Sequence, residues 1–398
     1  MTRPLRVAIV GAGLGGLVAA IAGRRAGFDV TVYEQAKAFG EVGAGIQVGP
    51  NAVKVLRALD LESGLSQFGS LPEHHVGRNW KSGRVLFRSP TKIACRQRFG
   101  ANFFQVQRSD LHALLRSALP EGAIRLGMRC TQAKSTSGAA VLEFSDGTEV
   151  ESDVVVGADG IHSTVRNCLF GSGAPRFTGV ICWRGQVPAE KLPPGLIPHD
   201  SLNWMGPGGC VVHYYVRPGQ LVNFIAHRKT HEWAQESWSV EGNRDELLSA
   251  FVGWHHSLQT LFKATDRCYK WAILDRDPLP NWSSGRITLL GDAAHPMLPF
   301  LAQGGAMAME DGFVLANALK RNFNDVPSAL LHYEALRKDR ATRVQLGSRA
   351  RAEICQVESP FAQLRRDLKY LYDQWFNPGA AIQRADWIYE YDVANVSV

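Results

Sequence analysis

At 398 residues, with 45% hydrophobic and 20% charged side chains, the chain has an ordinary globular make-up and the length for two packed domains. No apolar run approaches the ~18–20 residues that span a bilayer, and MTRPLRVAIVGAG reaches glycine too soon for a signal peptide, so a cytoplasmic location is expected. The formal charge of +7 could serve nucleic acid, but the basic stretch 337–351 has no aromatic platform or known binding motif and reads as a solvated helix face, so nucleic acid is not an expected partner.

Seven scattered cysteines without a C-x-x-C read as reduced, mostly buried thiols, and no metal site is expected. Residues 6–10 (RVAIV) form a buried-strand pattern that runs into Gly11-Ala12-Gly13-Leu14-Gly15-Gly16. A helical pattern over 17–26 follows, then a Gly27 cap and a strand over 30–34 that ends in Glu34. A G-x-G-x-x-G between strand and helix, with an acid closing the next strand, predicts a bound adenine dinucleotide. Gly11 makes the turn, Gly13 lets pyrophosphate lie on backbone N–H groups, and Gly16 lets helix and strand pack. Glu34 accepts from ribose hydroxyls and disfavours a 2′-phosphate.

Residues 39–51 (FGEVGAGIQVGPN) read as a compact loop over a ligand ring, because the stretch lacks the lysines and serines of a solvated linker. Gln47 is its one uncharged polar side chain long enough to reach such a ring. A helix is expected over 52–59. Residues 103–119 predict a short strand and a helix that starts at Ser109 or Asp110. Arg108, just ahead of that start, is either a surface salt bridge or a ligand contact. Residues 140–144 and 149–151 flank a D-G turn and predict a hairpin, and 153–166 (DVVVGADGIHSTVR) run a buried strand through Asp159-Gly160 to a helix start at Ser163.

From 170 to 282 the character changes. Seven of the ten tryptophans fall here among short alternating segments, which predicts an antiparallel sheet with one aromatic-rich face. Along 210–215, alternation sets Cys210, Val212 and Tyr214 on one face and His213 and Tyr215 on the other. Residues 286–311 then give a strand (287–290), a Gly291-Asp292 break, a loop with Pro296 and Pro299, and Gly304-Gly305 before a helix. A helix start favours negative charge, whereas Asp292 suits a polyol hydroxyl better than a phosphate. A long basic helix over 329–346 and a helical tail over 360–398, with an aromatic cluster at 387–391, complete the pattern.

GAGLGG with Glu34, GADGIHSTVR at 157–166 and LLGDAAHPMLPFLAQGGAMAMED at 289–311, in that order and spacing, resemble the single-component (group A) FAD-dependent aromatic hydroxylases. FGEVGAGIQVGPN and QRSDLHALLR are similar to the salicylate, 3-hydroxybenzoate and 6-hydroxynicotinate hydroxylase branch. The resemblance implies a mixed α/β fold like that of para-hydroxybenzoate hydroxylase. It comprises a Rossmann-like FAD-binding domain (1–170 and 283–350), an antiparallel β-sheet substrate domain (171–282) and a C-terminal helical tail (351–398). Gly11, Gly13, Leu14, Gly15 and Gly16 then match the pyrophosphate loop, Glu34 with Gln35 the adenosine end, and Arg108 the phosphate and ribitol arginine. Asp159 and Gly160 match an Asp-Gly pair shared by FAD and the visiting nicotinamide, Asp292 the ribitol aspartate, and Gly304 and Gly305 the donors to the flavin pyrimidine edge.

The same resemblance places Gln47, Cys210, Val212, Tyr214 and Pro299 around a small aromatic acid. Its chemistry is reduction of FAD by NADH or NADPH, oxygen addition at flavin C4a, and attack of an activated phenol on the resulting hydroperoxide. Several relatives place a histidine at the positions of Gln47 or Cys210, and this chain has neither. Tyr214 is therefore the first candidate for the phenol proton, His213 the second, with Gln47 beside them. A monomer or homodimer is expected. The rival readings are an FAD oxidase or dehydrogenase on the same scaffold and a non-catalytic flavin redox sensor.

Overall fold

The computed structural model describes residues 3–40, 44–171, 173–230 and 241–396. Its first layer grows from the apolar strands at either end of the sequence. Arg6–Val10, Asp29–Glu34, Ile124–Leu126, Val154–Gly157 and Ile287–Leu289 lie parallel in one six-stranded sheet, and Ser283–Ser284 closes the edge antiparallel. Strands covered on both faces read as continuous apolar runs, and Val154, Val155 and Val156 are fully buried. The helix Leu14–Arg25 begins three residues earlier than the expected 17–26, so Leu14, Gly15 and Gly16 form its first turn.

That helix packs against Gly304–Arg321 through a seam of small residues. A Cβ at Gly15 would stand 2.9 Å from the Cβ of Ala308, and one at Gly312 would stand 2.7 Å from the Gly15 carbonyl oxygen. The two glycines let backbones touch, which brings the starts of both helices to one place.

The second layer is an eight-stranded sheet. Its order is Glu241–Gly242, Cys268–Asp275, Arg176–Pro188, Leu221–Lys229, Gly209–Val216, Ser201–Gly206, His75–Asn79, Val85–Ser89. All neighbours are antiparallel except Ser201–Gly206 beside His75–Asn79. The last two strands come from outside 171–282, so the sheet is not built from one continuous stretch. On one side of it Trp183, Val187, Val211, the histidine at 213, Phe224 and Ala226 face an apolar layer completed by Leu258, Leu261 and Phe262 of the helix His256–Lys263. Five of the tryptophans between 170 and 282 are buried as expected; Trp233 and Trp238 lie outside the described residues.

Two readings are corrected. The expected loop 39–51 contains a strand, Gly45–Val48, paired antiparallel with Phe104–Gln107. Its glycines mask the alternation Ile46/Val48. The helix Pro50–Ala58 follows directly, whereas residues 41–43 of that stretch lie outside the described residues. The basic helix is also not a solvated face. It spans Val326–Cys355, and Arg337 is fully buried against Glu310 and Asp311 while Arg340 pairs with Glu310. The tail packs inward too, with Tyr391 under Arg340 and Trp387 under Arg343.

Candidate active site

Three turns meet at the start of the Gly304–Arg321 helix. Gly11 has φ +108°, and a Cβ there would lie 2.3 Å from the Ala158 carbonyl oxygen, so only glycine lets the first turn and the Asp159 turn approach. Around Gly13, which caps the first helix, there is open space. Glu34 accepts from the amides of Ala12 and Ala36 at 2.8 and 2.9 Å, which holds its carboxylate beside the glycine turn. Gln35 is exposed just beyond. Asp159 is spent locally, accepting from Ser163 Oγ and the Val165 amide at the start of Thr164–Phe170, and Gly160 follows at φ +79°. Ser163 caps that helix as expected.

Asp292 is exposed to the cleft. A Cβ on Gly304 would be 3.9 Å from its Oδ1, and one on Gly305 would be 3.3 Å from Leu14. Arg108 is not a surface salt bridge: it opens the helix Arg108–Ser117, and the neighbouring Asp110 pairs with Arg217 instead. The helix thus starts one residue before the expected Ser109 or Asp110. Burial lowers the Arg108 guanidinium and raises the Asp292 carboxyl, and each charge offsets part of the other's penalty across the cleft. Neither forms an ion pair among the described residues. Their hydrogen-bonding capacity is left for a polyhydroxylated, phosphate-bearing ligand, and the open backbone at Gly13 fits its pyrophosphate. The residues present fit FAD.

The turn carrying Asp292 is held from behind. Asp311 accepts from the Gly291 amide at 3.0 Å and from His295, and Arg337 Nε donates to it at 2.8 Å. Asn51, also fully buried, donates to Glu310 at 2.7 Å and to Gln303, which caps the Gly304 helix, at 2.9 Å. Sequence reading missed this knot, because polar residues inside an amphipathic helix pattern look like its wet side.

The cleft faces the side of the eight-stranded sheet opposite that apolar layer. The Gly45–Val48 strand bridges the two: the Gly45 amide donates to Asn223 at 2.7 Å and Gln47 to Ser201 at 3.1 Å. Cys210, Val212 and Tyr214 share this side, opposite His227, Ile225 and Asn223 of the next strand. Tyr214 is buried and its phenol is pushed up by that burial. Cys210 Sγ is 3.6 Å from His227 Nδ1, and the His227 ring lies 4.8 Å from Phe300 in the loop ahead of Gly304. Pro299 opens a short turn in that loop, which ends with Ala302 in the left-handed region at φ +52°.

His213 does not join this group. It lies on the other side of its strand, where Trp204 Nε1 donates to its Nε2 at 2.9 Å, and burial lowers it to about 3. The structure adds Asn223, Ser201 and His227, which sequence reading passed over. Asn223 and His227, four residues apart on one face of an otherwise mostly apolar strand pattern, were the signal for two of them.

With this arrangement in view, comparison with known proteins is informative. Residues 4–347 match the FAD binding domain family, and the chain belongs to it. It is an FAD-dependent monooxygenase of the single-component aromatic hydroxylase branch. It is 39% identical over 395 residues to a 3-amino-4-hydroxybenzoate 2-monooxygenase of Streptomyces platensis, covering 99% of this chain and 98% of that one. It is also 39% identical over 348 residues to 6-hydroxynicotinate 3-monooxygenase of Pseudomonas fluorescens, covering 87% and 90%. Among solved structures, Klebsiella pneumoniae HpxO complexed with FAD and uric acid superposes with a TM-score of 0.87 at 27% identity, over 97% of this chain and 96% of that one.

Proposed function

We propose that this chain hydroxylates a small hydroxylated aromatic acid, of the salicylate, 3-hydroxybenzoate or 6-hydroxynicotinate type, with NADH or NADPH and O2 as co-substrates. The observation that carries this is one cleft with two unlike walls. The glycine turns, Arg108 and Asp292 form one wall, and the polar sheet side with Gln47, Val212 and Tyr214 forms the other. Bound in the cleft, FAD supplies the redox chemistry and oxygen activation.

The residues divide the work. Gly11, Gly13 and Gly16 admit the pyrophosphate, Glu34 takes ribose hydroxyls, and Arg108 and Asp292 fix the chain between the two ends. The Gly160 turn leaves backbone for a visiting nicotinamide. The Gly304 and Gly305 amides, at the positive end of a long helix, stabilise negative charge on the ring edge. Leu298 and Phe300 pack with Ile225 and help close the space against water, which strengthens every polar contact inside. Tyr214, a neutral phenol at pH 7, donates to the oxyanion of the substrate and relays its proton rather than storing it.

The test is to screen hydroxylated aromatic acids for those that accelerate NADH or NADPH oxidation by the yellow protein, then identify the products. Stoichiometric hydroxylated product supports the reading. Cofactor oxidation that yields only hydrogen peroxide with every acid favours an oxidase and sinks it.

A further inference from the structure

We propose that Arg351 is the anion-binding pole of the substrate site and holds the carboxylate of the aromatic acid. The proposal rests on the hydroxylase reading above and assigns a residue that neither the glycine motifs nor the sheet alternation identifies.

Arg351 leaves the last turns of Val326–Cys355 and donates to the Tyr370 hydroxyl. Its charge faces the thiols of Cys355 and Cys210, the Tyr370 phenol and the His75 imidazole. Among the described residues no carboxylate lies within ion-pair distance of it. Its helix neighbours differ: Arg337 and Arg340 meet Glu310, and Arg349 meets Asp275. A half-buried guanidinium with no carboxylate beside it is costly to hold, and a fold retains one where a ligand supplies that charge.

The place is right for a substrate. Cys210 heads the strand side that carries Val212 and Tyr214, and Phe300 packs on the same cluster as Cys210, Cys355 and Tyr370. Four residues of strand separate Cys210 from Tyr214, about 13 Å at the usual rise. Side chains reaching in from both ends shorten that span, and an acid whose hydroxyl stands across the ring from its carboxylate, as in 6-hydroxynicotinate, faces both, with its carboxylate at Arg351 and its hydroxyl towards Tyr214. Arginine matches a carboxylate with two parallel donors, which also fixes the ring's orientation.

One neighbour can compete. The Cys355 thiol, helped first by its hydrogen bond from Cys210 and then by Arg351, is lowered to about 6. A thiolate there offsets part of the arginine's charge in the free protein, and a fully ionised carboxylate takes over when substrate arrives.

The experiment titrates the flavin absorbance of the holoenzyme with hydroxylated benzoates and with their neutral amides. Wild-type protein should bind the acids, and Arg351→Met should bind them about ten- to a hundredfold more weakly, with amide binding unchanged. Arg351→Lys should recover part of the loss. If no acid perturbs the wild-type flavin or stimulates cofactor oxidation, the hydroxylase reading and this inference fall together. If acids bind and Arg351→Met binds them as tightly, Arg351 alone is overturned. Cys355→Ser should bind acids at least as well as wild type; a loss in that variant with none in Arg351→Met assigns the role to the thiol and overturns the proposal.

Discussion

One helix, Val326–Cys355, treats a fully buried arginine and a half-buried one in opposite ways. Arg337 is wrapped by Glu310 and Asp311, with the Met307 sulfur and the Tyr391 ring against it. Arg351 reaches a thiol pair, an imidazole and a phenol, and no carboxylate among the described residues. The first arrangement is complete within the protein and behaves as structure. The second has only thiols, an imidazole and a phenol around it, and on the proposal above an anion from outside completes it. On that proposal, the kind of group that meets each charge separates the two arginines, carboxylates for Arg337 and weaker partners for Arg351.

Removing Arg337 sharpens that contrast most. Arg337→Met leaves Asp311 and Glu310 buried with fewer cations, and breaking a buried pair on one side costs about 3–5 kcal/mol. Thermal unfolding should drop by several degrees, and flavin retention should fall too, because Asp311 also holds the Gly291 amide behind Asp292. An unchanged melting temperature would make the knot incidental. The pH dependence follows the same group. Burial pushes the Asp311 carboxyl up, but His295 and Arg337 outweigh this and hold it at about 2. With a folded value below the ordinary carboxylate value near ~4, its stabilisation is full above that value and is lost as pH falls towards 2. Asp311→Asn should flatten that acid limb of the stability curve, measured by thermal melts from neutral to acid pH.

Next in size is the cradle. Gly11→Ala forces a Cβ into the Ala158 carbonyl at a backbone angle that side chains rarely adopt. Purified Gly11→Ala should be colourless or lose flavin on gel filtration while Gly27→Ala, strained by its φ of +90° but with a Cβ that meets nothing within 4 Å, stays yellow. Equal flavin content in both would detach the turn from the cofactor.

The two halves were unequally legible in sequence. The glycine turns, Glu34, Asp159-Gly160, Asp292 and Gly304-Gly305 announced themselves because each needs a special residue type at a strand end, and special backbone leaves a local mark. Strand alternation placed Cys210 and Tyr214 on one side and His213 on the other. Arg351 and the Arg337 knot left no such mark. Their meaning depends on which carboxylates the fold brings near, a matter of tertiary contact between residues far apart in the chain. The strand Gly45–Val48 was hidden for a related reason: its partner, Phe104–Gln107, is distant, and its glycines weaken the local pattern.

Tyr214→Phe tests the substrate side with a smaller structural change. It removes one hydroxyl from a buried ring, so the fold and flavin content should hold while product formed per NADH falls severalfold and hydrogen peroxide rises to match. Unchanged coupling removes Tyr214 from the proton path.

The smallest expected effect is the most telling about the helix. Arg351→Met trades a cation lacking a carboxylate partner for an apolar side chain of similar length, so substrate-free stability should stay within about 1 kcal/mol of wild type or rise. That is the reverse of Arg337→Met on the same helix. A bound acid raises the melting point only where it binds the folded state more tightly than the unfolded one. Aromatic acid should therefore raise the wild-type melting temperature and leave that of Arg351→Met nearly still. A large loss of stability in substrate-free Arg351→Met would mean that the protein itself already satisfies this charge, and the two arginines would then be alike.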